Sequence, residues 1–263
     1  MVNKKIILSV IIVAAVFVGW QILNKQTKEM KNVDMLSNGD EASVLSDEVS
    51  YFGGIKGYFV KPKESGNYPG VVMIHEWWGL NENIKQMARQ LASEGYNVLA
   101  VDLHKGKVAA TAEEARALVS SLDQQEALRN LRAAVSFLRN QDSTKIASLG
   151  WCFGGGQSLQ LALSGEDLDA TVIYYGQLIS DKTRLSNIKW PVLGIFGDKD
   201  SSIPVSSVYD FRDALTFLSI PNEVHIYPGV GHAFANPSGA NYAPQETTDA
   251  WTKTLTFLAE NLK

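Results

Sequence analysis

The one cysteine of the chain, Cys152, stands in Gly150-Trp-Cys152-Phe-Gly154-Gly-Gly156, a thiol placed between glycines as a nucleophile for carbonyl carbon would be. An apolar run, Ile146-Ala-Ser-Leu149, leads into it and a helical stretch from Gln157 follows. That is the strand, sharp turn and helix which a G-x-nucleophile-x-G pattern requires. At positions two before and two after Cys152 such a turn leaves no space for a side chain, and glycine meets the demand. The plain alternative is a glycine-rich turn around a buried, inert cysteine.

A thiol nucleophile needs a base, and the base needs an orienting acid. Four histidines are available. His75 closes the apolar run Val71-Val-Met-Ile74, His104 follows Val101-Asp-Leu103, and His225 lies inside the alternating Glu223-Val-His-Ile-Tyr227. His232 follows Tyr227-Pro-Gly-Val-Gly231, and of the four it alone sits on a loop after a late strand, where a base belongs. The acid is expected from the strand Val192-Leu-Gly-Ile-Phe196, which ends in Gly197-Asp-Lys-Asp200; of the two aspartates Asp200 is the expected partner. Nucleophile, acid and base then follow the chain order of the α/β-hydrolases. Read plainly, Asp200 would be a turn-former and His232 a loop hydrogen-bonder.

A second constellation, His75-Glu76-Trp77-Trp78-Gly79-Leu80-Asn81, follows the strand Gly70 to Ile74. Backbone N–H groups of this loop and of the residue after the nucleophile can form an oxyanion hole, which nominates Trp77 and Phe153. Glu76, a carboxylate among aromatics, must pair with a base or carry a raised pKa, unless it serves as a cap or ion pair at the start of the next helix.

Taken together, the motifs around Cys152, Asp200 and His232 (in Gly-Val-Gly-His232-Ala-Phe), the His75–Asn81 loop, Val101-Asp102-Leu103 and Tyr174-Tyr175-Gly176 resemble the dienelactone hydrolase family, small cysteine-dependent α/β-hydrolases. The similarity runs from about Val49 to the C-terminus. It implies that Cys152, Asp200 and His232 form a triad, that Glu76 helps to activate the thiol, and that an ester or lactone is cleaved through an acyl-cysteine. The resemblance also exposes departures. In the chlorocatechol-pathway members two arginines hold the substrate carboxylate, one of them four residues after the histidine; here that position is Asn236. The second arginine has no clear match in Lys105 to Arg116. Asparagine does not reproduce a bidentate arginine, so the reaction type is expected to hold while dienelactone itself is not the expected substrate. Lys105, Lys107 and Arg116 read as solvated surface charge.

These residues must be positioned by a domain of adequate size. The 263-residue chain is 45% hydrophobic, enough for a full core, and its net charge of −4 argues against nucleic acid as a partner. Opening from Glu48 to Tyr51 and Ile55 to Lys61, joined through Gly53-Gly54, suggests a hairpin. Apolar strands are then expected near 71–74, 98–101, 146–149, 171–175, 192–196 and 223–227. Helices are expected at 84–93, 112–138, 157–164, 205–218 and 245–262. This alternation predicts an α/β-hydrolase fold over residues 48–263, a mostly parallel sheet with helices on both faces and ligands at the strand carboxyl ends. With no insertion long enough for a large lid, an open pocket is expected, lined by Trp77, Trp78, Trp151, Phe153, Phe234 and Asn236.

Ahead of the domain, Lys4-Lys5 precede a nearly unbroken apolar run from Ile6 to Leu23, of about the length that crosses a bilayer. Residues 1–23 are expected to be a transmembrane anchor with the catalytic domain outside the cytoplasm, and the polar stretch 24–47 a tether. No metal is expected, since no H-E-x-x-H pair is present, nor any cofactor; the protein is expected to be a monomer acting on a small ester or lactone. Two other classes are weighed against a hydrolase: a non-catalytic binding protein on the same fold, which a complete triad disfavours, and a thiol redox protein, which would want a second cysteine. A thiol-dependent acyltransferase shares the acyl-cysteine chemistry.

Overall fold

The computed structural model describes residues 43–263. Eight strands form one sheet in the order β1-β2-β4-β3-β5-β6-β7-β8. They are β1 (Val44–Phe52), β2 (Ile55–Pro62), β3 (Gly70–Ile74), β4 (Asn97–Val101), β5 (Ile146–Trp151), β6 (Ala170–Tyr174), β7 (Val192–Gly197) and β8 (Asn222–Tyr227). Strand β2 pairs antiparallel with both β1 and β4, and every pairing from β4 to β8 is parallel. Each residue of β3 to β7 is buried. A strand buried on both its faces must be covered on both faces of the sheet, which is why these segments read as continuous apolar runs without alternation.

The covering helices are α1 (Glu82–Ser93), α2 (Ala112–Ser120), α3 (Gln124–Arg139), α4 (Phe153–Leu163), α5 (Lys182–Leu185), α6 (Val205–Phe217) and α7 (Pro244–Leu262). Sequence periodicity predicts a single helix over 112–138, whereas the chain breaks at residues 121–123. The Asp123 carboxylate accepts from the N–H groups of Gln125 and Glu126 and starts α3 afresh. A side-chain acceptor at this point competes with the helical ladder, and periodicity does not register it. Strand β1 also begins at Val44, inside the stretch read as a tether, because Val44 to Asp47 pair with Phe59 to Pro62 in spite of their exposure. The anchor expected at 1–23 and the tether up to residue 42 lie outside the described residues. Among the described residues, no helix is long and apolar enough to cross a membrane.

The sheet order sets the place of the site. From β3 the chain moves to β4 on one side, and from β5 to β6 on the other. Adjacent parallel strands whose connections leave in opposite directions open a crevice at their carboxyl ends. Ile74, the last residue of β3, is in register with Gly150 of β5, so the chain leaving β3 at His75 to Trp77 is set against the chain leaving β5 at Cys152 and Phe153.

Candidate active site

Cys152 occupies the turn between β5 and α4 with φ 55° and ψ −117°, a conformation that a residue with a side chain adopts only under compulsion. The surroundings supply it. The Cys152 N–H donates to the Tyr174 carbonyl at 3.0 Å, and its own carbonyl accepts from Gly156 N–H at 3.1 Å. A Cβ at Gly150 would stand 2.1 Å from the Gly154 carbonyl oxygen, and one at Gly154 would stand 2.3 Å from that of Ile74. Helix α4 therefore begins directly after the thiol, at Phe153 and not at Gln157, and its first N–H groups gather beside the sulfur.

His232 reaches the thiol from the loop between β8 and α7, with Nε2 3.0 Å from Cys152 Sγ. On the other side of its ring, Nδ1 lies 2.7 Å from Asp200 Oδ2. The Asp200 carboxylate is buried, and its other oxygen accepts from the N–H groups of Ser202 and Ile203 at 2.7 and 3.0 Å. Those two bonds aim the free oxygen at His232. Asp198 instead turns away to accept from Gly229 N–H and to pair with Lys199. Burial disfavours a charged imidazole, yet the Asp200 and Cys152 partners outweigh it and raise His232 to about 10. Asn241 holds the loop in place by donating to the His232 carbonyl at 3.0 Å.

Glu76 is buried at the end of β3, and burial lifts its carboxyl to about 7 against the opposing pull of Asn236 and His232. The Asn236 side-chain amide donates to Glu76 Oε2. Its orientation is fixed by the Ser238 N–H, which donates to Asn236 Oδ1 at 2.9 Å. Asn236, expected as part of the pocket wall, thus serves as hydrogen-bond partner of the buried carboxyl. Two buried histidines support the same loop. His75 Nδ1 lies 2.5 Å from the Glu76 carbonyl, and His104 Nε2 lies 3.1 Å from that of Trp77. Their rings lie together at 4.8 Å, and each stacks on Phe153, at 5.9 and 5.5 Å.

Trp77 and Trp78 are half-buried and meet edge to face at 5.0 Å. Trp151 is buried, packs on Tyr174, and borders a small cavity together with Glu76, Tyr175 and Asn236. Phe234 is fully buried between Tyr175 and Tyr227, so the expected pocket aromatic is core packing; two neighbouring rings leave it no exposed face. Lys105 pairs with Glu126 on the surface and Arg116 is exposed. Tyr175, His75 and His104 carried no catalytic expectation in the sequence. The signal was there for Tyr175 and His75, since each directly follows the carboxyl end of a strand, where ligands meet such sheets. No group of three or more His, Cys, Asp or Glu side chains among the described residues is placed to hold a metal ion.

The model of the dienelactone hydrolase family matches residues 55–262. Protein usf of Aquifex pyrophilus is 34% identical over 221 residues, 79% of this chain and 94% of its own length. A candidate carboxymethylenebutenolidase of Saccharolobus solfataricus is 31% identical over 227 residues, 72% of this chain and 88% of its own. Among solved structures, a candidate dienelactone hydrolase from Klebsiella pneumoniae superposes with a TM-score of 0.75 at 28% identity, covering 82% of this chain and 99% of that one. A dienelactone hydrolase-like promiscuous phosphotriesterase from metagenomic libraries gives 0.77 at 27% identity, over 84% and 100%. With a family model matched over most of its length and an α/β-hydrolase sheet beneath it, this chain belongs to the dienelactone hydrolase family.

Proposed function

We propose that this ester or lactone hydrolase works through Cys152 as nucleophile, His232 as general base and acid, and Asp200 as the group that orients the imidazole. The observation that carries the reading is the continuous contact Asp200 Oδ2 to His232 Nδ1 at 2.7 Å and His232 Nε2 to Cys152 Sγ at 3.0 Å. A histidine raised to about 10 holds the proton shared with the sulfur at neutral pH, leaving a nucleophile ready for attack. The sulfur adds to the carbonyl carbon, and the oxyanion rests on the N–H groups of Trp77 and Phe153. His232 gives its proton to the departing alkoxide, the acyl group stays on Cys152, and water deprotonated by His232 releases it as a carboxylic acid. Glu76 is the activating carboxyl: once ionised, its charge favours the imidazolium of His232, as the mutual influence of the two groups requires.

Incubation with p-nitrophenyl acetate and intact-mass analysis tests this scheme. Wild type should turn the ester over and carry a transient acetyl adduct on Cys152, while Cys152→Ala should do neither; a Cys152→Ala variant with full activity would remove the thiol from the mechanism. The apolar run 6–23 supports a further element of the proposal, a membrane anchor holding the domain outside the cytoplasm. Resistance of the membrane-bound protein to alkaline carbonate extraction, with the domain open to protease in intact spheroplasts, is the expected result.

A further inference from the structure

The loop that follows β4 lies against the loop proposed to carry the oxyanion donor. Asp102 gives it shape: the buried carboxylate accepts from the His104 N–H at 2.8 Å and from that of Gly106. The Asp102 backbone is held in turn. Its N–H donates to the Tyr51 hydroxyl at 3.1 Å, and its carbonyl accepts from the Asn130 side-chain amide at 3.0 Å. Tyr51 gives its own proton to Asn130 Oδ1 at 2.6 Å, so the turn is fixed to both β1 and α3.

From this base the loop meets the His75–Gly79 segment residue after residue. The Leu103 N–H donates to His75 Nε2 at 3.1 Å, His104 Nε2 lies 3.1 Å from the Trp77 carbonyl oxygen, and the Ala109 N–H donates to the Trp78 carbonyl at 2.9 Å. Gly79, at φ 97°, packs so closely that a Cβ there would stand 2.4 Å from the Lys107 carbonyl oxygen. A carbonyl oxygen only accepts, so His104 Nε2 carries the proton and donates. Burial holds the pKa of this ring below its ordinary value and keeps the ring neutral.

A residue turns on two soft dihedrals, one toward each flanking peptide plane. The contact of His75 Nδ1 with the Glu76 carbonyl, at 2.5 Å, sets the plane before the Trp77 Cα. The bond from His104 sets the plane after it. With both planes held, the Trp77 N–H has one direction. The His104 ring also stacks on Phe153 at 5.5 Å, the residue proposed to bear the second donor, so one imidazole touches both halves of the oxyanion site.

We propose that His104 is a positioning residue for the oxyanion hole: its Nε2–H fixes the Trp77–Trp78 peptide and its ring backs Phe153, so that both donor N–H groups are set before substrate arrives. The inference rests on the cysteine-hydrolase reading above. The reactivity of the sulfur itself is set separately, by His232 and Asp200. Loss of the His104 donor therefore slows addition to a carbonyl and spares the thiol.

Two reactions of Cys152, the one cysteine of the chain, separate these effects. Turnover of p-nitrophenyl acetate passes through an oxyanion in acylation and again in deacylation; alkylation by iodoacetamide displaces iodide at the same sulfur and forms none. His104→Phe keeps a ring against Phe153 and removes the donor, whereas His104→Gln returns an amide N–H at about the reach of Nε2. His104→Phe should lower kcat on the ester about tenfold with KM within about twofold of wild type. Its alkylation rate constant, followed by intact mass, should stay within about twofold. His104→Gln should recover most of the lost kcat.

An equal loss in ester turnover and alkylation would mean that the ring only props the elbow, which overturns the proposal. A His104→Phe enzyme with wild-type kcat overturns it as well, and His104→Gln no more active than His104→Phe removes the role of the donor. If His104→Phe does not fold, as judged by circular dichroism, the comparison passes to His104→Gln and His104→Asn. The shorter amide of asparagine does not reach the Trp77 carbonyl, so equal kcat in those two variants is again a refutation. Retention of ester turnover in Cys152→Ala would instead strike the underlying reading, so the two failures are told apart.

Discussion

His75 Nδ1 lies 2.5 Å from the carbonyl oxygen of the next residue, Glu76, while His75 Nε2 lies 3.1 Å from the Leu103 N–H. The second contact makes Nε2 an acceptor, so the neutral ring carries its proton on Nδ1 and donates to the Glu76 carbonyl. Burial and the neighbouring His104 lower His75 to about 3, which keeps the ring in this form. The Glu76 carbonyl and the Trp77 N–H belong to one planar trans peptide and point in opposite directions. A bond that fixes the carbonyl therefore aims the proposed oxyanion donor.

His75→Phe should accordingly lower kcat on p-nitrophenyl acetate by roughly 100-fold with little change in KM, since an oxyanion donor acts on the transition state. A parallel rise in KM, with kcat preserved, would show that the ring acts on substrate binding instead.

Glu76 makes stability depend on pH. Its folded-state pKa is raised from 4.5 to about 7, so between these values the native protein binds more protons than the unfolded chain. Stability must then fall as pH rises through this window, by up to about 3 kcal/mol. In Glu76→Gln that dependence is absent. Urea unfolding of both proteins at pH 4.5 and pH 8 should show the variant gaining on wild type at the higher pH, and an unchanged difference would mean that Glu76 titrates normally.

The elbow distinguishes one glycine from its neighbour. Gly154→Ala would force a Cβ against the carbonyl oxygens of Ile74 and His75 at 2.3 and 2.4 Å, both backbone atoms without freedom to withdraw. A loss of about 3 kcal/mol or more is expected, and with it the thiol geometry. At Gly156 the nearest atom to a new Cβ is 3.5 Å away, and alanine is the better helix former. Gly156→Ala should gain about 0.5–1 kcal/mol. Thermal melts of the pair provide the comparison.

Asp200→Asn replaces a carboxylate that accepts a hydrogen bond from His232 Nδ1–H with an amide that is able to present N–H in its place. The imidazole loses both its orientation and the charge that stabilises its protonated form. A fall in kcat of about 100-fold or more is expected, with the His232 titration, followed by NMR, moving down from about 10. Asp198→Asn, on a carboxylate that bonds Gly229 and Lys199, should leave kcat within about twofold.

The elements that were legible in the sequence are those specified by neighbours along the chain. Strands β3 to β7 show as apolar runs because both sides are buried. The turn at Cys152 shows because glycines two residues away are needed to make it. Where one side chain overrides a pattern, periodicity misleads. Asp123 divides an apparently continuous helix into α2 and α3, and Phe234, expected at the pocket, is packed between two tyrosines.

The sequence by itself determined the family, the sheet of alternating strands and helices, and the strained turn that presents the thiol, for each depends on residue types within a few positions of one another. The tertiary structure decided the environment of these groups. It set Asp200 and not Asp198 on His232, joined Asn236 to a glutamate 160 residues earlier, and brought the ring of Tyr175 edge-on against His232. Burial and the direction of a hydrogen bond arise only when distant strands come together at the carboxyl edge of the sheet, and no local pattern encodes them.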